Sequence, residues 1–172
     1  RRENPEEAKR TSVRGNILHE ACENYLNNDP VRDMEKNEKM LFANIKRSIA
    51  RIDNVRALEV PLWSHTLRLA GRVDCVAELS IIDFKGSTRR KSPSNIKNYF
   101  CQATAYAIMW HEMMEQEIKQ IVILITSEDG ANQVFVKQPI DFVGELKRSI
   151  DVYETEMLRK KNLVSSPNLF LK

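Results

Sequence analysis

The chain has 172 residues, of which 42% are hydrophobic and 30% are charged, as in an ordinary globular domain and unlike a disordered protein. Its formal net charge is only +3, so any contact with nucleic acid has to come from local basic clusters rather than from a global positive field. The sequence lacks a run of about 18 apolar residues, so no membrane-spanning helix is expected.

The three cysteines, Cys22, Cys75 and Cys101, lie far apart and lack a CxxC spacing. This pattern argues against a disulfide framework, a zinc site and an iron–sulfur cluster, so we expect reduced thiols in an intracellular protein. The chain opens at Arg1 instead of a methionine. We therefore expect the natural N-terminus to be missing, together with any targeting segment.

Two helices are predicted before the first strand, over residues 11–26 and 32–52, behind a frayed polar segment at residues 1–10. Thr11 can cap the first helix, and the polar run from Asn27 to the following proline ends it. The second helix is predicted because its apolar residues recur four apart, with charges on the other faces.

The texture then changes to short strands, which are predicted over residues 56–63, 67–79, 80–85, 121–125 and 133–136. A helix over 96–116 separates the third strand from the fourth, and another over 142–160 follows the fifth. The adjacent Ile81 and Ile82 indicate that the third strand is buried on both faces.

This order of elements predicts an α/β fold, with a small mixed β-sheet flanked by helices. We expect a single domain over residues 1–172. Within it, the N-terminal helices occupy 11–53, the α/β core 56–160 and a tail 161–172.

Chemistry is indicated by Gly71-Arg-Val-Asp74 and, nine residues after that aspartate, Asp83-Phe84-Lys85. Asp83 and Lys85 project together because residues two apart on a strand share a face, and a short turn would bring Asp74 alongside. Two carboxylates suit Mg²⁺ or Mn²⁺, while the lysine can hold and help deprotonate an attacking water. An Asp-x-Lys triplet alone is a weak signal, but its place at the end of an apolar strand favours a site over surface charge.

These two motifs resemble motifs II and III of the PD-(D/E)xK nucleases. The resemblance implies a restriction-endonuclease-like core and metal-dependent hydrolysis of DNA. Three further matches resemble the RecB-like exonuclease branch, whose members include the mitochondrial genome maintenance exonucleases and phage relatives. Gly15 and His19 fit its G-x-x-x-H helix, Gln102 and Tyr106 fit its Q-x-x-x-Y helix, and Glu59 fits an acidic position.

The resemblance also implies roles for these residues. The metal ligands would be His19, Asp74, Asp83 and the Phe84 carbonyl, whereas Gln102 and Tyr106 would orient Lys85 or a phosphate, and Glu59 would support the metal. By residue type alone, His19 is more often a core histidine, Gln102 and Tyr106 a hydrogen-bonding pair, and Glu59 an exposed carboxylate. Position 86 is glycine, whereas relatives usually have threonine after the lysine. This difference puts in doubt how the following loop binds the substrate.

A basic, hydroxyl-rich run follows the lysine strand and is a candidate for phosphate contacts, although such a run can also be a solvated loop. Its residues are Ser87, Thr88, Arg89, Arg90 and Lys91.

The resemblance favours an exonuclease acting on single-stranded DNA ends, with the helix over 32–52 as the candidate for an arch over the strand. A structure-specific endonuclease of the same fold and a non-catalytic nucleic-acid-binding module are the alternatives. The compartment, mitochondrion or cytoplasm of a bacterium or phage-infected cell, stays open, as do end polarity and the choice between DNA and RNA.

Overall fold

The computed structural model describes residues 5–164, which form four α-helices and one five-stranded sheet. The elements in chain order are α1 Pro5–Leu26, α2 Lys36–Ile49, β1 Val55–Ser64, β2 Leu69–Ala77, β3 Ser80–Ser87, α3 Lys97–Met114, β4 Gln120–Ser127, β5 Asn132–Lys137 and α4 Val143–Val164. Short 3₁₀ turns, Pro93–Ile96 and Pro139–Phe142, precede α3 and α4. Among the described helices, none combines the length and apolarity needed to cross a membrane.

Helix α1 begins earlier than the sequence predicted, because the chain is already helical from Pro5. Proline suits the first turn of a helix, where its missing N–H leaves no hydrogen bond unmade. The predicted end is confirmed, since Asn28 adopts a left-handed φ of 61° just after Leu26, a conformation that commonly ends helices. Of the segment predicted to fray, residues 1–4 lie outside the described part of the chain.

Helix α2 is shorter than the predicted 32–52. It starts after Glu35, whose backbone N–H donates to the Glu38 carboxylate at 3.0 Å in a capping box. Its buried residues are Leu41, Phe42, Ile45 and Ile49. This apolar face packs directly on β4 and β5, so only the opposite face and the ends of α2 could border a threaded strand, and the arch stays a prediction.

The sheet is mixed and has the strand order β1-β2-β3-β4-β5. β3 and β4 run parallel and are joined by the crossover helix α3, whereas all other neighbours are antiparallel. The predicted α/β fold with a small mixed sheet flanked by helices is confirmed. Helix α4 extends to Val164, four residues past the end predicted for the last helix; the rest of the predicted tail, residues 165–172, lies outside the described part of the chain.

Helices cover both faces of the sheet. One apolar cluster lies between the sheet and α3, with Leu146 of α4 joining it, and the other lies between the sheet and the helix pair α1 and α2. β3 contributes to both, because Ile81 belongs to the first cluster whereas Ile82 and Phe84 belong to the second. The predicted burial of this strand on both faces is confirmed, and the acidic motif is placed at the centre of the molecule.

Candidate metal and catalytic site

Strands β2 and β3 separate where the acidic motifs lie. Within the described chain their pairing ends at Cys75 and Ile82, so the next residues, Asp74 and Asp83, are not held together by the ladder. There Asp74 Oδ2 accepts the Phe84 N–H at 2.7 Å. Since a buried backbone N–H needs a partner, this side chain replaces the strand hydrogen bond that the divergence removes.

Asp83 and Lys85 project from the same face of β3, as predicted, and Lys85 Nζ donates to Asp83 Oδ1 at 2.7 Å. Asp83 is only 1% exposed, and this burial raises its pKa to about 6 although the Lys85 ammonium opposes the shift. Burial alone would lower the pKa of Lys85, but the carboxylates of Asp83 and Asp74 outweigh it and raise that pKa. The pair places an ammonium against a buried carboxylate.

The other carboxylate oxygen, Asp83 Oδ2, is buried and has no hydrogen-bond partner within residues 5–164. Burying an acceptor without a donor costs free energy, so such a group calls for an explanation by function. Mg²⁺ and Mn²⁺ prefer carboxylate oxygens, and a cation beside Asp83 would satisfy this atom. The residues at this point therefore fit a divalent cation.

A second group of ligand atoms lies beside Asp74. His19 of α1, Glu59 of β1 and Asp74 each offer one atom, all within 4.8 Å of one another. His19 Nδ1 lies 3.4 Å from Asp74 Oδ1 and 3.7 Å from Glu59 Oε1. Burial would lower the pKa of His19, but the neighbouring carboxylates of Asp74 and Glu59 raise it to about 10. A positive charge is favoured between these carboxylates, where a metal ion can replace the proton.

Glu59 has an unusual backbone for a residue inside a strand, with a left-handed φ of 49°. Both of its neighbours pair with β2, whereas Glu59 itself does not. Non-glycine residues in this region cost about 1–3 kcal/mol and concentrate at functional sites. The irregularity coincides with the approach of the Glu59 carboxylate to His19.

Gln102 and Tyr106 lie one turn apart on α3, and Gln102 Nε2 donates to the Tyr106 hydroxyl at 3.0 Å, as their spacing predicted. Tyr106 packs against the glycine of the first acidic motif: a β-carbon at Gly71 would lie 2.7 Å from Tyr106 Cε1. Burial raises the pKa of the Tyr106 hydroxyl, although the bond from Gln102 opposes the shift. Gly71 therefore makes room for a protonated tyrosine beside Asp74.

Two aromatic rings support the site in ways that the sequence did not predict. Lys85 Nζ lies 5.3 Å from the ring centroid of Tyr99. Tyr99 precedes Gln102 by three residues on the same helix face, and this spacing could have revealed it. The ring of Phe84 meets the ring of His19 edge to face, with centroids 6.4 Å apart. Phe84 thus supports the orientation of His19.

The basic loop directly follows β3. Thr88, Arg89 and Arg90 are exposed and Lys91 is half-buried. Ser87 differs because it is buried, with its hydroxyl donating to the Arg89 carbonyl at 2.7 Å. Ser87 therefore stabilises the loop, and exposed side chains for a phosphate backbone come from the residues after it.

The fold and these residues define a class of protein, and a comparison with protein families identifies it. Residues 35–161 match the family model of the PD-(D/E)XK nuclease superfamily, and the chain belongs to this superfamily. Its members are nucleases that use divalent metals. The match begins after α1, so His19 is brought to the site by the structure and not by the family match. A comparison with curated protein sequences found no match.

Fourteen chains of solved structures match the fold. One is the crystal structure of a protein from Eubacterium rectale whose name describes it, provisionally, as an exonuclease. The two structures superpose with a TM-score of 0.66 at 12% identity, over 88% of this chain and 67% of the other. At this identity the likeness shows the nuclease fold.

Proposed function

We propose that the protein is a metal-dependent exonuclease of the RecB-like branch that hydrolyses phosphodiester bonds at the ends of single-stranded DNA. The observation that carries the proposal is the buried oxygen of Asp83 that has no partner within residues 5–164, beside the Lys85 ammonium. Membership of the nuclease superfamily supports it. The provisional name of the Eubacterium rectale protein, and the histidine that α1 adds beside Asp74, favour the exonuclease branch.

His19, Asp74 and Asp83, with the Phe84 carbonyl, would hold one or two Mg²⁺ or Mn²⁺ ions. Glu59 lies beside His19 and Asp74 and would complete the ligand set on that side. A cation held there supplies a Lewis acid that lowers the pKa of a water molecule and offsets the charge of the scissile phosphate. These ligands lie on α1 and on three different strands. Their spacing therefore depends on the whole fold.

Lys85 would hold the attacking water and balance negative charge as it develops on the phosphate. Asp83 fixes the ammonium through the hydrogen bond at 2.7 Å. Tyr106, held by Gln102, would keep a hydroxyl donor near Lys85 and Asp74 and so set the geometry of the bound phosphate. No covalent intermediate with the protein would form, since water is the nucleophile.

The exposed residues of the basic loop, Thr88, Arg89 and Arg90, would bind the phosphate backbone together with Lys91. Contacts to the phosphate backbone bind DNA of any base sequence, which agrees with an enzyme that degrades a strand from its end. Because the overall charge is only +3, electrostatic affinity for the strand has to come from local clusters such as this one.

Linear and circular single-stranded DNA, the linear form labelled at either end, test the proposal. Each DNA is incubated with the wild-type protein in Mg²⁺, with the wild-type protein in EDTA, and with the Asp83→Ala variant in Mg²⁺. The matched control is Asp151→Ala, which removes an exposed carboxylate on α4. We expect Mg²⁺-dependent loss of linear DNA only, retained in the control and absent in Asp83→Ala. Cutting of circles would assign an endonuclease instead, and binding without any cutting would assign a nucleic-acid-binding module.

A further inference from the structure

The hairpin turn that joins β4 to β5, defined as residues 127–133 and so including the last residue of β4 and the first two of β5, contacts the basic loop through side chains that bind its backbone. The Gln133 side-chain amide accepts the Lys91 N–H at 2.8 Å and donates to the Lys91 carbonyl at 2.9 Å. Asp129 Oδ2 accepts the Arg90 N–H at 3.3 Å. These bonds fix the loop backbone and do not involve the side chains of Arg90 and Lys91.

The same turn also contacts the two elements that carry His19 and Lys85. Glu128 forms an ion pair with Arg14, which lies on α1 five residues before His19. The backbone N–H of Glu128 donates to the Ser87 carbonyl at 3.1 Å, at the end of the strand that holds Lys85. Both side chains of the ion pair are partly buried, with relative exposures of 21% and 32%, so water screens it less than a surface pair.

We propose that this turn, residues 127–133, is the positioning element of the site: Gln133 sets the basic loop against the phosphate backbone, and Glu128 sets α1 so that His19 meets the cation. The inference rests on the proposed function. A loop that is already ordered loses less entropy when it binds, and a ligand on a fixed helix binds a cation at the required distance. The turn can supply this order because it continues β4, a largely buried strand that is paired on both sides.

The two side chains should affect different steps. Gln133→Ala removes two hydrogen bonds that order the loop, so we expect about tenfold weaker binding of a short fluorescein-labelled single-stranded oligonucleotide. The affinity of the Gln133→Ala variant for Mn²⁺, measured by calorimetry, should equal that of the wild-type protein. In cleavage, KM should rise while kcat stays within about twofold, since an interaction made equally in the ground and transition states has been lost.

Glu128→Gln removes the charge that holds Arg14 while keeping the size of the side chain. We expect about fivefold weaker binding of Mn²⁺ and little change in oligonucleotide binding measured in EDTA, since a misplaced ligand weakens a metal site. Cleavage should be slow at limiting Mn²⁺ and return to the wild-type rate when Mn²⁺ is saturating. Rescue by excess cation is a result that a general loss of folding would not give.

Gln120→Ala is the matched control, because this glutamine starts β4 at the opposite end of the strand and donates to Ser80 Oγ at 2.8 Å. It should leave both affinities unchanged. If Gln133→Ala does not fold, Gln133→Met retains the approximate length of the side chain but makes neither hydrogen bond, and should weaken oligonucleotide binding in the same direction without a change of charge.

Equal losses of metal and oligonucleotide binding in Gln133→Ala and Glu128→Gln, in step with a fall in Tm, would overturn the inference and leave the turn a purely structural element. Wild-type affinities in both variants would overturn it as well. Failure of the wild-type protein to cleave or bind DNA would count against the proposed function instead, so the two failures are distinguishable.

Discussion

The two ends of β3 differ in how the sheet holds them. From Ser80 to Ile82 the strand pairs with β2 on one side and β4 on the other, whereas from Asp83 onward it pairs only with β4. The first end carries isoleucines in the two apolar clusters, and the second carries the buried acid and the lysine. The candidate site thus forms where one strand leaves the ladder and side chains take over its hydrogen bonds.

The difference also separates stability from function. Burial of apolar side chains at the first end stabilises the fold. At the second end, a carboxyl whose pKa burial raises to about 6 is disfavoured in its ionised form, and one of its oxygens has no partner within residues 5–164. Natural proteins keep such local conflicts mainly at functional sites. Substitutions at the two ends should therefore change different properties.

The largest effect is expected at the second end, on activity. Lys85→Ala removes the ammonium that would hold water and balance phosphate charge, so the rate of single-stranded DNA hydrolysis should fall by about 10³-fold. The measurement is the initial rate at saturating Mg²⁺, with circular dichroism to confirm folding. Lys97→Ala, an exposed lysine on α3, serves as the control. A rate within tenfold of wild type would remove Lys85 from the proposed machinery.

The next largest effect is expected at the first end, on stability. Ile81 is fully buried, and Ile81→Ala should lower the free energy of unfolding by about 3 kcal/mol through lost burial and a residual cavity. Urea unfolding gives this value. Activity per folded molecule should stay near that of wild type. Ile140→Ala is the control, because Ile140 is 71% exposed, and a similar loss there would contradict the role assigned to burial.

Much of this comparison could be predicted from sequence, because it depends on local periodicity. The alternation of Ile82, Asp83, Phe84 and Lys85 places acid and lysine on one face and apolar groups on the other. The spacing of Gln102 and Tyr106 likewise predicted their hydrogen bond. The start of α2 was not predictable in this way, because glutamate at position 35 is not one of the residues that usually cap helices.

Other features depend on contacts between distant parts of the chain, so the sequence could not show them. The left-handed φ of Glu59 is set by the tertiary structure, since glutamate has no local preference for it. The pairing of Arg14 with Glu128, and of Gln133 with Lys91, joins residues 114 and 42 positions apart. Such contacts follow from the order of strands in the sheet and not from any local pattern.

A smaller change in packing tests how closely α3 approaches the acidic motif. Gly71→Ala would place a β-carbon 2.7 Å from the Tyr106 ring, and the resulting overpacking should cost about 2 kcal/mol of stability. Because the shift moves the Tyr106 hydroxyl, cleavage should slow as well. Thermal unfolding and the cleavage rate measure the two effects. In Gly15→Ala the added carbon meets no atom within 4 Å among residues 5–164, so this change should instead stabilise α1 slightly. Equal behaviour of the two variants would contradict the close approach.

The smallest effect concerns the cation. A cation that binds only the folded protein raises its stability by about 1.4 kcal/mol at a concentration ten times the Kd. Mg²⁺ should therefore raise the Tm of the wild-type protein, and EDTA should reverse the shift. In Asp74→Asn the shift should vanish, because a carboxylate shared by His19 and the β3 backbone becomes a neutral amide. Asp151→Asn, exposed on α4, should keep it. If Mg²⁺ raised the Tm of Asp74→Asn as much as that of the wild-type protein, the cation would bind elsewhere. Metal binding would then not depend on the point where β2 and β3 diverge.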